Sequence, residues 1–95
     1  MAEWRYCTIE TNIHPSKEHQ GHYEGQIVIT YLKSDKDNIV TKPFLEDDEV
    51  LKELINKLNL ELNKNIANLG KKGWELMWKT TIDKNTSNYF LKRKN

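Results

Sequence analysis

The chain has 95 residues, room for one domain and too little for two. Hydrophobic residues make up 37% of it, below the roughly 45–50% usual for globular domains. Leu, Ile, Val and Phe still number 23, about a quarter of the chain and above the ~20% below which chains tend to stay disordered, so a thin-cored folded domain is expected. Charged residues are 31%, yet the net charge is only +1, which disfavours single-strand nucleic-acid binding, since such domains are usually clearly basic. No apolar run approaches ~18 residues, so no membrane span is expected. The Met1–Glu10 start has no basic stretch followed by an apolar one, so no secretory leader is expected. The single cysteine, Cys7, has no internal disulfide partner, which fits a reducing, cytoplasmic setting. Lys, Asn and Ile together make up 31 of 95 residues, a bias toward AT-rich codons that suits a low-GC bacterium or its phage.

The first element is a strand at about 3–10, where Trp4, Tyr6 and Thr8 alternate with Arg5, Cys7 and Ile9. Residues 11–24 are polar, contain Pro15 and Gly21, hold all three histidines and read as a loop. Residues 25–33 are rich in β-branched and aromatic side chains and predict a second strand. A turn follows at 34–38, and residues 39–41 extend an edge strand before Pro43.

A helix is predicted over 46–69. Glu46, Asp47, Asp48 and Glu49 fit the positive end of its dipole. Leu51, Leu54, Ile55, Leu58, Leu62, Ile66 and Leu69 follow as one stripe. Gly70 is the expected left-handed cap. Strands at 74–83 and 88–93 close a hairpin around a turn at 84–87. The expected fold is therefore α+β: one domain over 1–95, with an antiparallel sheet of about four strands in β-β-α-β-β order packed on one long helix.

One helix covers one face of a sheet, yet Ile27 and Val28, Leu76 and Met77, and Phe90 and Leu91 are apolar neighbours that point opposite ways along strands. Either these are ordinary scattered surface residues, or a second copy covers them as a homodimer or higher homo-oligomer. Charge is also uneven. Residues 1–45 carry −1, residues 46–69 carry −3 and residues 70–95 carry +5.

Aromatic rings lie among those C-terminal cations, and a ring with a cation suits a nucleotide's base and phosphate. The candidate ligand-binding residues are Trp78, Tyr89 and Phe90 for stacking, Lys92 and Arg93 for phosphate, and Asn88 for a base edge. The alternative is that Trp74 and Trp78 are core, on one face with Leu76 and Ile82, and the lysines a solvated rim.

His14, His19 and His22 have imidazoles that suit zinc or nickel, but no carboxylate or cysteine in the pattern completes a set, so no metal is assigned. There is no G-x-S-x-G, Gly-rich phosphate loop, H-E-x-x-H or C-x-x-C, so a non-enzymatic protein without a cofactor is expected. The leading expectation is an oligomeric binding protein for a nucleotide-like small molecule. The alternative is a protein-interaction module using the helix-free sheet face.

Trp4-Arg5-Tyr6, then Gly73-Trp74-Glu75-Leu76 after the helix, then Phe90-Leu91-Lys92-Arg93 at the end, resemble a small bacterial and phage family of unknown function. Its members have a W-x-Y first strand, a G-W-E-L motif after a helix and an aromatic-Lys-Arg last strand. The resemblance covers about half the chain. It implies the helix-on-sheet fold and no activity, and the segment 11–41 departs from its pattern. The size, the AT-rich composition and the expected oligomer also resemble phage proteins that block the bacterial Thoeris defence. That resemblance implies binding a cyclic ADP-ribose signal without cleaving it. No motif is matched residue by residue, so no site is carried over from them.

Overall fold

The fold is described from a computed structural model covering residues 4–32, 38–40 and 44–94, with the backbone alone described at 38–40 and 44. Six strands and one helix run in the order β1 (Trp4–Pro15), β2 (Tyr23–Leu32), β3 (Asn38–Val40), β4 (Phe44–Asp48), α1 (Leu51–Lys71), β5 (Glu75–Asp83) and β6 (Thr86–Lys94). All pairings are antiparallel and the sheet order is β3-β2-β1-β6-β5. β3 and β4 share the outer edge of β2, β3 against Thr30–Leu32 and β4 against Tyr23–Ile27. The sheet is thus five positions wide rather than the four expected, and the α+β architecture with one helix on the sheet holds.

The added strand comes from residues expected in the helix. Glu46, Asp47 and Asp48 lie in β4, and α1 begins at Leu51. An edge strand tolerates polar residues on either side, because only one of its edges is paired. Asp48 still serves the helix: its Oδ1 accepts the Val50 N–H at 2.9 Å, and its Oδ2 lies 2.8 Å from Lys57 Nζ. The Lys57 hydrogen bond, followed by the Val50 one, holds the Asp48 carboxyl below its ordinary range. Gly70 lies inside the helix, and the left-handed residue is Gly73, at φ 92°. There the chain turns back and the Trp74 N–H bonds to the Leu69 carbonyl at 3.0 Å.

β1 and β2 are longer than their apolar patterns suggested, and only Ser16–His22 connects them, so His14 is a strand residue. The turn in the C-terminal hairpin shrinks to Lys84–Asn85. Residues 34–37 and 41 of the expected turn and edge strand lie outside the described residues.

The core lies between α1 and one sheet face. Alternation on β1 and β2 sends Cys7, Ile9, Ile27 and Ile29 to that face, where they meet Leu58, Leu62, Leu69 and Leu91. Leu54 packs over Gly25, where a Cβ would stand 3.1 Å from Leu54 Cδ1. Leu51 and Ile55, expected in the buried stripe, are exposed. The helix leaves β4 at one edge of the sheet and delivers the chain to β5 at the other, lying mainly over β2 and β4. β5 is therefore bare on both sides, and all nine of its residues are exposed.

Burial pushes the Cys7 thiol up to about 11 from 9.0. The fold favours the protonated thiol, so this contribution is intact below pH 9 and is lost as pH rises toward 11. Urea unfolding at pH 8 and pH 10.5 should show wild type losing more stability than Cys7→Ala. Parallel losses in the two proteins would contradict this.

Candidate functional site

The helix-free face is built in rows, because residues paired across antiparallel strands share a face. One row carries Trp4 with Lys94, and the next carries Leu32, Tyr6, Lys92 and Glu75. Then come Thr30, Thr8, Phe90 and Trp78, followed by Val28, Glu10, Asn88 and Thr80. The rings gather toward the end that carries Lys92 and Lys94. The opposite end is polar and acidic, with Asn12, Gln26 and Glu24.

A bulge in β5 decides where Trp78 stands. Leu76 pairs with Leu91 but Trp78 pairs with Phe90, so Met77 is an extra residue on that strand. Leu76 stays on the helix side and Trp78 turns to the open face. The expectation that Trp78 shares a face with Leu76 is corrected by this one-residue phase change. The Trp78 and Phe90 rings lie with centroids 4.7 Å apart, tilted by 32°. Trp78 is 53% exposed, whereas Trp74 is only 8% exposed. The Trp74 ring packs near Tyr31, at 5.8 Å between centroids, and under the Arg93 guanidinium at 5.9 Å. The two tryptophans left together by sequence thus part: Trp74 is core and Trp78 is surface.

The six candidate ligand-binding residues divide in the same way. Trp78, Asn88, Phe90 and Lys92 share the open face. Tyr89 and Arg93 point to the helix side, where Tyr89 packs against the core and Arg93 lies over Trp74. Alternation along β6 makes a single cluster of all six impossible. Residues that sequence reasoning did not select join the four: Trp4, whose ring centroid lies 4.4 Å from Lys92 Nζ, and Tyr6, the register partner of Lys92. Their period-two alternation was visible, but not which strand lies beside β6. A shallow depression of about 270 Å³ lies on this face, lined by Thr8, Glu10, Val28, Thr30, Asn88 and Phe90.

The histidines form a separate cluster at the far end of the β1–β2 hairpin. His14 Nε2 lies 3.0 Å from Glu24 Oε2. His22 Nδ1 and His19 Nδ1 lie 2.6 Å and 3.4 Å from the two carboxylate oxygens of Asp47 in β4. Partial desolvation raises the Asp47 pKa, but hydrogen bonds to His22 and Ser16 and the nearby imidazoles outweigh it and hold the carboxyl below its ordinary value. Among the described residues no group of three His, Cys, Asp or Glu side chains is arranged to hold a metal ion. The cluster ties the hairpin to β4, a link hidden in the sequence because Asp47 was assigned to the helix.

No described helix is long and apolar enough to cross a membrane. The chain matches no protein-family model, no curated protein and no solved structure.

Proposed function

We propose that this chain is a non-enzymatic binding protein whose open sheet face holds a nucleotide-like anion without turning it over. The observation that carries the reading is the Trp78–Phe90 ring pair, 4.7 Å apart on an uncovered face. Asn88 stands beside it in the adjoining depression and Lys92 lies one row away. The rings supply a stacking surface, the Asn88 amide can pair with a base edge, and Lys92 supplies charge for phosphate. The depression is open on one side, so a second copy of the chain would be needed to enclose a small ligand there, which supports a homo-oligomer.

The test is a thermal-shift screen of nucleotides and ADP-ribose isomers with wild type and Trp78→Ala. A ligand at a hundredfold excess over its Kd should stabilise wild type by about 2.7 kcal/mol. Loss of the Trp78 ring should weaken binding by about 1–3 kcal/mol, and the ligand should be recovered chemically unchanged. No shift with any nucleotide rejects the reading.

A second reading, a protein-interaction module, is favoured by the bareness of β5, which leaves Leu76, Met77, Trp78 and Ile82 exposed together. Met77→Asp should then abolish capture of a partner while leaving nucleotide binding intact.

A further inference from the structure

The open face holds more ring surface than one base can use, and its rings fall into two groups. Trp78 and Phe90 form one, with centroids 4.7 Å apart. Tyr6 and Trp4 form the other, one and two rows away on β1. Rows on one face of a strand lie ~6.6 Å apart, twice the 3.3 Å rise per residue. That spacing is about double the ~3.4 Å rise between stacked bases, so two bases on these groups must be unstacked from each other.

A cation stands at the second group, one row from the first. Lys92 is the register partner of Tyr6, lies two residues from Phe90, and carries its Nζ 4.4 Å from the Trp4 ring centroid. Lys94 follows in the outermost row, opposite Trp4. Two ring groups with a cation at one of them suit two bases and the phosphate that joins them. Resting on the nucleotide reading above, we propose that the ligand of this face is a dinucleotide unit: two unstacked bases, one on Trp78–Phe90 and one on Tyr6–Trp4, joined by a phosphodiester that meets Lys92.

Two placements sharpen the proposal. Glu75 is the register partner of Lys92 on β5, on the same face, so it opposes an anion at that position. Lys79 belongs to the same +5 segment but stands on the helix side, with its Nζ 5.6 Å from the Tyr89 ring centroid. It should not touch the ligand.

The test is isothermal titration of the full chain with thymidine monophosphate, the dinucleotide pTpT and a thymidine decanucleotide. The dinucleotide should bind at least about tenfold more tightly than the mononucleotide, the return on one further stacked base. Lys92→Gln and Tyr6→Ala should each bring the dinucleotide down to mononucleotide affinity. Glu75→Gln should tighten it, and Lys79→Gln should leave it unchanged. All four residues are partly or fully exposed, and circular dichroism checks that each variant is folded.

A decanucleotide that binds more tightly still assigns the site to a nucleic-acid strand. Equal affinity for the dinucleotide and decanucleotide assigns it to a free small molecule. The second result sustains the proposal of a free dinucleotide, and the first overturns it in favour of a strand. Equal affinity for the mononucleotide and dinucleotide, with Trp78 still required, overturns this proposal and leaves the nucleotide reading intact. Equal losses from Lys92→Gln and Lys79→Gln overturn it in favour of diffuse attraction. Binding of none of the three overturns this proposal, and the wider nucleotide screen decides the reading beneath it.

Discussion

Trp74→Ala is expected to destabilise the fold by about 3–5 kcal/mol, the range for removing a buried tryptophan. The ring is 8% exposed and joins three parts of the molecule. It follows the turn at Gly73, packs near Tyr31 of β2 and lies under Arg93 of β6. A domain of this size has about 5–15 kcal/mol in total, so the variant should be near the edge of folding at 37 °C. The measurement is the midpoint of urea unfolding by circular dichroism. Trp74→Phe, which keeps a ring beside Tyr31, should lose distinctly less. A loss below about 1 kcal/mol for the alanine variant would mean that the ring is not a core residue.

Leu54→Ala should cost about 2–5 kcal/mol, because Leu54 is 0% exposed and packs over a glycine, which has no side chain to fill the space. The residue beneath it is Gly25, and the two should be energetically coupled. In the wild type a methyl at residue 25 would stand 3.1 Å from Leu54 Cδ1, tighter than ordinary contact. Gly25→Ala alone therefore combines crowding, worth about 1–3 kcal/mol, with the gain of a residue less flexible than glycine. With Leu54 shortened the crowding disappears and the new methyl occupies part of the cavity. The double variant should be more stable than the sum of the single losses implies, by about 0.5–3 kcal/mol. Strict additivity in the cycle would show that the leucine does not rest on the glycine.

Most of the helix and the two long N-terminal strands were legible because burial on one side imposes a period. Leu54, Leu58, Leu62 and Leu69 repeat at helical spacing, and Cys7 and Ile9 alternate with Thr8 and Glu10. β4 was not legible, because an acidic run before an apolar stripe fits a helix N-terminus as well as an edge strand. Only the pairing of Tyr23–Ile27 with Phe44–Asp48 separates the two, and pairing is a long-range property. For the candidate site, residue chemistry pointed to the right region but could not assign faces. Tyr89 and Phe90 are equally good stacking residues, and alternation alone turns one toward the core and the other to the open face. For Trp78 even alternation misled, because the extra residue at Met77 shifts the phase. Trp4 and Tyr6 lie more than eighty positions from Lys92 in the chain, and only the β1–β6 register brings them beside it.

The bulge at Met77 also has a consequence for how the molecule behaves in a crowd. β5 is an outermost strand with Leu76, Met77, Trp78 and Ile82 exposed, the pattern by which sheets recruit further strands and grow into fibres. Its pairing with β6 is interrupted twice, between Leu76 and Trp78 and between Thr81 and Asp83, and Lys79 stands between the interruptions. An approaching strand would find no long run of evenly spaced backbone groups and would have to accommodate a cation. The edge is thus protected against the addition of further strands, while the rings of the open face stay uncovered.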